Sequence, residues 1–331
     1  MRALPLSGLM VLVAITLTSC SSDSSPEPVA VTEDVPGAVA AASGWLTGQA
    51  GDDGLFATEF DGQTYPDPGL TADVVLALSA SGETLGAGDI ARALADPAVV
   101  ASYVGDGTTS LYVGSTAKLA ATLAVARLDS AEETGRDLLE ELAAREAPSG
   151  RFTDLGEPDY SQTISQSWAV LALSQAGEVP STAVDFLADQ QCSGEGYPAA
   201  LTDEPTGTCD ADPDATGFAV SALVSAGVPA DDPRVAGAVD WLTEAAQTDD
   251  DGQFWFSAEP AEASVNSTAV AAVALRDAGE DDTQALAWLE AQMVVSGDDA
   301  GSFTVADVPD ARATSQALVA LAGTGLAGLL G

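Results

Sequence analysis

The residues best suited to chemistry are a few polar side chains that interrupt otherwise apolar segments. In Asp212-Pro-Asp214-Ala-Thr216, the carboxyl group of Asp214 begins an apolar run, where a sheltered acid is able to donate a proton. The alternative is that Asp214 caps a helix. Lys118 is the only lysine of the chain and also lies in an apolar segment. Three roles are open for it: an ion pair with a buried carboxylate, extension of its charged end to the solvent at the helix end, or a Schiff-base amine.

The complete absence of histidine excludes several kinds of site. A Ser-His-Asp triad cannot form, and a zinc site would need carboxylates in place of imidazole ligands. Cys192 and Cys209 lie in one connection rich in Gly and Pro. A disulfide is the preferred interpretation for an exported protein, and a two-cysteine metal site is the alternative. We predict no metal site and no cofactor.

The charge balance is strongly acidic, with 51 Asp and Glu residues against 10 Lys and Arg residues and a net charge of -41. This excludes nucleic acid and anionic lipid headgroups as partners, since both require a basic surface. A soluble, solvated surface explains the charge, and capture of a cationic ligand is the alternative. Asp-rich turns such as Asp52-Asp53-Gly54 do not match a known calcium loop.

The N-terminal segment is predicted to direct export. Residues 1–19 combine Arg2 with a short apolar stretch, as in a signal peptide. Leu17-Thr18-Ser19-Cys20 resembles a bacterial lipobox, which predicts lipid attachment at Cys20; an ordinary secretory signal is the alternative. Residues 20–37 are predicted to be a flexible stalk. The protein is therefore expected on the extracytoplasmic face of the cell membrane, held only by its lipid.

A unit of about 50 residues recurs six times in the rest of the chain. Its first copy contains Trp45-Leu46, Gly54-Leu55-Phe56, Thr71 and Gly82. Each unit predicts an amphipathic outer helix, a turn with Gly and an aromatic residue, and an inner helix that is apolar on nearly every side. One polar position near the start of each inner helix recurs in every unit and forms the Thr column, which contains Thr71, Thr116, Gln166, Thr216, Thr268 and Thr314.

The repeated Trp-Leu-x-x-Gln, Gly-x-Phe and Thr-Ala pattern resembles the repeats of protein prenyltransferase β subunits and squalene/hopene cyclases. The resemblance covers about residues 38–326 and implies an α/α toroid, with six inner helices inside six outer ones. We therefore predict an all-α, single toroid of six αα-hairpins over residues 38–331. The terminal units resemble the others, which favours a closed ring over an open solenoid.

The catalytic motifs of the enzymes that these repeats resemble are absent or incomplete in this sequence. The prenyltransferase zinc site requires histidine, and the thioester motif of complement relatives is not matched around Cys192. The Asp-x-Asp-Asp-Thr acid motif of class II cyclases implies that Asp214 is the proton donor, but Ala215 replaces its neighbouring Asp. A cationic intermediate also needs an aromatic-lined cavity, and only 5% of the residues are aromatic.

In a closed ring, the polar residues near the starts of the inner helices converge on one rim. Six helix N-termini there would favour anions or neutral polar groups. We predict a non-catalytic, monomeric, surface-tethered protein that binds a small molecule or a segment of an exported partner at this rim. A cyclase-like enzyme that uses Asp214 and a structural or adhesion scaffold are the alternatives. The candidate binding residues are Thr71, Asp73, Lys118, Gln162, Gln166, Asp214, Asn266 and Arg312.

Overall fold

Most of the chain folds into helices, with short strands in the connections between them. The computed structural model describes residues 35–205, 207–257 and 262–331. The helices are α1 Val35–Thr47, α2 Pro68–Ala80, α3 Thr84–Leu94, α4 Pro97–Val104, α5 Val113–Val125, α6 Ser130–Thr134, α7 Leu138–Ala143, α8 Thr163–Gln175, α9 Ser181–Asp189, α10 Pro213–Ser225, α11 Pro233–Ala245, α12 Val265–Asp277, α13 Thr283–Gln292, α14 Ala311–Leu321 and α15 Leu326–Leu330.

The strands form three small antiparallel sheets in the loops before inner helices. They are β1 Ala57–Phe60, β2 Gln63–Pro66, β3 Gln247–Thr248, β4 Gln253–Phe256, β5 Ala263–Ser264, β6 Phe303–Val305 and β7 Val308–Asp310. The pairings are β1–β2, β3–β4–β5 and β6–β7. These hairpins do not form a layer of their own, so the predicted all-α class is confirmed.

Six helices surround a common axis: α2, α5, α8, α10, α12 and α14. Each packs against the next, and α14 packs against α2, so the ring is closed. Helix α2 is buried without interruption from Leu70 to Leu78, as expected for a helix with protein on every side. Because the chain returns through an outer helix each time, all six inner helices run in the same direction. The predicted α/α toroid is confirmed.

The inner helices begin at defined capping residues. Asp67, Asp212, Ser264 and Asp310 each accept a hydrogen bond from a backbone N–H in the first turn of α2, α10, α12 or α14. For α5, the Val113 N–H donates to the distant carboxylate of Asp154 at 2.8 Å. These contacts fix where α2, α5, α10, α12 and α14 start, and therefore the height of their side chains along the axis, whereas α8 begins after Gln162 without a side-chain cap.

The outer layer consists of α1, α3, α7, α9, α11 and α13. In α11, Val235, Ala238, Val239 and Leu242 are buried, which is the spacing of one apolar face. The second unit departs from the pattern, since α4 and a loop replace the turn with the aromatic residue. The outer helix of the third unit, α7, has only six residues, and α6 precedes it.

The Thr column joins the turns to the inner helices. Thr71 Oγ1 accepts the backbone N–H of Phe56 at 3.0 Å, and Gln166 Oε1 accepts that of Phe152 at 2.9 Å. Thr216, Thr268 and Thr314 accept the corresponding N–H groups of Tyr197, Trp255 and Phe303. Each bond satisfies a buried donor that would otherwise be unpaired.

In the fifth unit, the aromatic residue predicted at Gly252-Gln-Phe254 is shifted by one residue. Trp255, not Phe254, is buried and bonded to Thr268, because β4 carries the chain one residue further before it meets α12. Phe254 instead stacks on Trp288, with ring centroids 5.2 Å apart.

The short helix α15 closes the axis at the end opposite the inner-helix N-termini. It packs against α5, α8, α10 and α12. The N–H of Ala327 donates to both carboxylate oxygens of Asp277, each at 3.2 Å, and Leu330 is buried. We call α15 the plug.

The connection between α9 and α10 contains the predicted disulfide. Cys192 and Cys209 are bonded, with their Cα atoms 5.4 Å apart. No helix among the described residues is long and apolar enough to span a bilayer. The predicted signal peptide and Cys20 lie outside the described residues.

Candidate functional site at the inner-helix N-termini

One position in each inner helix points toward the axis. This position lies two residues after the Thr column. The residue four positions earlier lies on the same face of the helix, one turn nearer the helix N-terminus. The rim consists of the N-terminal ends of the inner helices and the segments leading into them. The lower layer comprises Asp73, Lys118, Trp168, Phe218, Val270 and Gln316, and the upper layer comprises Gly69, Gly114, Ile164, Asp214, Asn266 and Arg312.

Four charged side chains form one network at the junction of α14, α2 and α5. Asp73 Oδ1 lies 2.5 Å from Lys118 Nζ, and Asp73 Oδ2 lies 2.6 Å from Arg312 Nη1. The other guanidinium nitrogen, Nη2, donates to Asp67 at 2.9 Å. With two anions and two cations, the network is formally neutral. These ion pairs offset the desolvation penalty of burying the Lys118 ammonium group, as the ion-pair interpretation requires.

Lys118 has two further contacts that complete its environment. Its ammonium group donates to the carbonyl of Gly69 at 3.1 Å and lies 5.8 Å from the centre of the Trp168 ring. Only 12% of the Lys118 side chain is exposed. An amine held by all these partners is not free to attack a carbonyl group, which does not suit a Schiff-base nucleophile.

Beside this network, an apolar cavity runs down the axis, and we call it the shaft. Its volume is about 40 Å³. The Trp168 and Phe218 rings, 5.7 Å apart, form one wall, and Leu326 of the plug forms the floor. The residues that line it are Asp73, Leu76, Trp168, Gly217, Phe218, Ser221, Ala269, Val270, Val273, Ser315, Gln316, Val319 and Leu326.

Two amides lie side by side on the α12–α14 side of the rim. Asn266 Nδ2 donates to Gln316 Oε1 at 2.8 Å. Gln316 also lines the shaft, and both residues are half-buried. Within the described parts of the chain this is the one bond these amides make, so the Gln316 Nε2 donor and the Asn266 Oδ1 acceptor are able to bind a polar group.

Asp214 is not the helix cap, which corrects one of the two interpretations made from sequence. Asp212 caps α10 by accepting the N–H of Ala215 at 2.8 Å. Asp214 is one helical turn above Phe218, and its Oδ1 atom is buried with no hydrogen-bond partner among the described residues. Burial raises the pKa of Asp214; the neighbouring Ser267 hydroxyl counters this, and the Asp212 charge adds to it.

Thr71 and Gln166 have structural roles instead of the predicted binding roles. Both side chains are completely buried and are engaged with backbone groups of the turns. Gln166 uses its whole amide, since Nε2 also donates to Gly150 at 2.9 Å. Gln162 precedes α8, is exposed and provides no side-chain cap. Of the eight candidates, the structure therefore gathers Asp73, Lys118 and Arg312 in one network, with Asp214 and Asn266 elsewhere in the upper layer.

The expected preference of the rim for anions is also corrected. The carboxylates of Asp67, Asp212 and Asp310 already occupy the N-termini of α2, α10 and α14, and that of Asp154 binds the first N–H of α5. These negative charges cancel the positive ends of the helix dipoles. These four helix ends therefore do not favour an anion over a neutral or cationic group.

Sequence reasoning missed Tyr103, Trp168, Phe218 and Gln316. Burial raises the pKa of Tyr103 well above its usual range, the charge of Asp73 adds to this, and a hydrogen bond with Ser115 opposes it. The other three each stand two residues after the Thr column, a regular position that only the structure shows to face the axis. In the described residues, no group of three or more Cys, Asp or Glu side chains is arranged to hold a metal ion.

Comparison with known proteins supports the architecture. No family model and no curated protein matches the sequence. Among solved structures, the type II terpene cyclase MstE from Scytonema superposes with a TM-score of 0.64 at 15% identity, over 88% of this chain and 98% of its own. An unsaturated glucuronyl hydrolase specific for heparin gives 0.61 at 12% identity, over 87% and 95%.

A third similar structure is a protein from Actinoplanes, with a TM-score of 0.59 at 18% identity, over 88% of this chain and 99% of that one. The class that fold and repeats define is therefore the α/α toroid. At such low identity the likeness shows the fold alone, and the fold is shared by enzymes of quite different chemistry.

Proposed function

We propose that this toroid is a non-catalytic binding protein that accepts one slender apolar group in the shaft. The observation that supports this is the shaft itself, an apolar cavity directly below a polar rim. Trp168, Phe218 and Val270 would contact the apolar group, while Asn266 and Gln316 would bind the polar part that carries it. The charged network would not need a charged ligand, because its four members already neutralise one another.

Short-chain alcohols test this proposal because they combine a slender apolar chain with one hydroxyl group. We expect 1-butanol to shift the methyl NMR signals of Val270, Val273 and Val319 in a saturable way. Val273→Phe fills the shaft and should abolish these shifts at the remaining methyl groups. Val295→Phe, at an exposed position outside the shaft lining, is the matched control and should leave them unchanged. Shifts that persist in Val273→Phe would contradict the proposal.

Proton donation by Asp214 is a second candidate function, favoured by the raised pKa of this buried acid and by its unpaired oxygen. MstE, with which the fold is shared, has been solved with geranylgeranyl dihydroxybenzoate. Pockets for ligands of drug size have volumes of about 300–1,000 Å³. The shaft, at about 40 Å³, is too small for such a chain. The volume therefore favours binding over cyclisation.

The candidates are separated by incubating the protein with geranylgeranyl dihydroxybenzoate and examining the product by mass spectrometry and NMR. Cyclisation leaves the mass unchanged, so the NMR spectrum is what distinguishes a cyclised product from the unreacted substrate. We expect only unreacted substrate. A cyclised product that disappears in Asp214→Asn, while Asp212→Asn retains it, would replace the binding function with an enzymatic one.

We further propose that the toroid is exported and anchored through Cys20. The support is the lipobox-like sequence together with the Cys192–Cys209 disulfide, since disulfides persist mainly in oxidising compartments. Cys20→Ala should release the protein from the membrane fraction and remove the mass of the lipid from its N-terminus. Continued membrane association of that variant would argue against a lipid anchor.

A further inference from the structure

Exposed apolar side chains are concentrated on the rim. Nine large apolar residues are exposed in the described parts of the chain, and seven of them lie in segments that lead into inner helices. The two elsewhere are Leu85 and Val295. The seven at the rim are Phe60, Tyr65, Tyr112, Tyr160, Phe256, Val305 and Val308. Exposed apolar surface gathered on one face marks an interaction site.

The two hairpins that flank the charged network present the most exposed part of this surface. The strands of β1–β2 place Phe60 and Tyr65 on one face of that hairpin, since Thr58 pairs with Tyr65 and Phe60 with Gln63. In β6–β7, Val305 pairs directly with Val308. Phe60 is 75% exposed and Val308 is 63% exposed.

Both hairpins have turns of fixed geometry and are anchored next to each other. The two central residues of each turn have positive φ, as in tight two-residue hairpins. They are Asp61 and Gly62 in β1–β2, and Ala306 and Asp307 in β6–β7. The hairpins lead into α2 and α14, which are adjacent in the ring and joined through Arg312. They therefore present the apolar side chains from rigid supports beside the shaft.

The size of the shaft indicates what kind of ligand would use this surface. A volume of about 40 Å³ is roughly one tenth of a small-molecule pocket. At about 10–15 Å³ for each water-sized group, it has room for about three or four non-hydrogen atoms, the size of one aliphatic side chain. Protein interfaces often centre on one such side chain in a buried pocket, surrounded by weaker contacts. A shaft of this size next to a broad apolar surface therefore suits a protein segment better than an isolated small molecule.

Charge restricts the partner further. Glu59, Asp61 and Asp307 lie on the two hairpins, and the chain carries a net charge of -41. This charge repels an anionic membrane and also a second copy of the same chain. A basic partner is attracted and correctly oriented by the same field.

We propose that the rim is a docking surface for a basic protein segment. The segment inserts one apolar side chain into the shaft and lays its flanking residues on Phe60, Tyr65, Val305 and Val308. This rests on the proposed binding function and adds the class of partner to it.

Synthetic peptides test the proposal. The probes are fluorescein-labelled peptides of the form Lys-Lys-Gly-Xaa-Gly-Lys-Lys with blocked ends, where Xaa is Leu, Met, Ala or Ser, and binding is measured by fluorescence anisotropy. The Leu and Met peptides should bind at least about tenfold more tightly than the Ala peptide, because a larger apolar side chain is buried. Added salt should weaken all of them.

Variants of the shaft and of the hairpins, with a matched control, locate the binding surface. Val273→Phe should remove the preference for Leu and Met, and Ala269→Leu, which also narrows the shaft, replaces it if Val273→Phe does not fold. The double change Phe60→Ser with Val308→Ser should weaken the Leu peptide about tenfold or more. The matched control, Leu85→Ser with Val295→Ser, changes exposed apolar residues away from the rim and should have no effect.

Equal affinity for all four peptides, or equal losses in the hairpin and control variants, would overturn the partner proposal. Binding to phosphatidylglycerol vesicles that depends on Phe60 and Val308 would also overturn it, in favour of a membrane surface. If 1-butanol still occupies the shaft of the wild-type protein while no peptide discriminates, the partner class is wrong and the binding function stands. If the shaft takes neither probe, both proposals fail.

Discussion

The Arg312 guanidinium donates to the Asp73 carboxylate at 2.6 Å across 239 residues of sequence. Arg312 lies in the first turn of the last inner helix and Asp73 lies in the first inner helix, so this pair joins the two ends of the ring. Asp73 bonds Lys118 with its other oxygen, which extends the contact to a third helix. One carboxylate thus links α14, α2 and α5 at the rim.

The two cations of this network should contribute unequally to stability. Lys118→Met leaves Asp73 poorly paired in a site where 12% of the Lys118 side chain is exposed, and should cost about 3 kcal/mol. Arg312→Met should cost only about 1–2 kcal/mol, because 39% of the Arg312 side chain is exposed and water replaces part of its contacts. Urea denaturation measures both changes.

Arg92→Met is the control for these two substitutions. Arg92 pairs with Asp89 on an exposed outer helix, so its loss should be close to neutral. A cost for Arg92→Met that equals the cost for Lys118→Met would show that the buried network has no special role in holding the ring together.

A residue of the Thr column should stabilise the toroid only where its side chain accepts a hydrogen bond from the backbone of a turn. Thr268→Val leaves the buried N–H of Trp255 without its acceptor and should cost about 1–3 kcal/mol. Thr116 belongs to the same column, but its hydroxyl donates only to the Tyr112 carbonyl of its own helix. Thr116→Val should therefore cost less than about 1 kcal/mol. Thermal unfolding of the two variants compares them, and equal losses would contradict this role of the column.

Close approach of α10 and α12 should make Gly217 intolerant of a side chain. A Cβ atom there would lie 2.6 Å from Val270 Cγ1, so Gly217→Ala should cost about 1–3 kcal/mol through displaced packing. Gly44→Ala in the outer helix α1 is the matched control, because nothing lies within 4 Å of its added atom. It should stabilise the protein by up to about 1 kcal/mol. A neutral Gly217→Ala variant would mean that the two helices separate easily.

The plug should introduce a pH dependence through Asp277. Burial raises the pKa of Asp277 to about 6 from an ordinary value of 3.8, against the opposing effects of the Ala327 N–H, which donates to it, and of the nearby Arg276 charge. The folded state therefore binds this proton more tightly than the unfolded state does. The ionised carboxylate destabilises the fold above about pH 6, this penalty diminishes as the pH falls toward 3.8, and below that value it is absent.

Asp277→Asn removes the charge but keeps an oxygen that accepts the Ala327 N–H. At pH 7 the variant should be more stable than wild type by at most about 3 kcal/mol, since each tenfold change in proton affinity corresponds to about 1.4 kcal/mol. The difference should disappear when unfolding is measured near pH 4. A difference that does not vary with pH would mean that Asp277 titrates normally.

Much of the architecture could be predicted from local patterns. The six units, their helix-ending glycines such as Gly82 and Gly279, and the distinction between amphipathic and all-apolar helices depend on residues close in sequence. The Cys192–Cys209 bond was also predictable, because both residues lie in one connection. The displacement of the aromatic position from Phe254 to Trp255 was not, since it depends on how far β4 extends before α12 begins.

The candidate site was predicted less completely. The sequence indicated the rim and named Asp73, Lys118, Asp214, Asn266 and Arg312, because polar residues stand out in apolar helices. It also named Thr71 and Gln166, which face the turns.

What the sequence determined by itself was the repeated unit, the closed toroid it resembles and the end of the toroid where its polar residues gather. Only the tertiary structure decided which residues face the axis. An inner helix is apolar all round, so its periodicity does not distinguish the side toward the axis from the side toward the outer layer. Ring closure makes that distinction, because it brings Arg312 to Asp73 and leaves an apolar shaft along the axis, lined by α2, α8, α10, α12 and α14 above the plug.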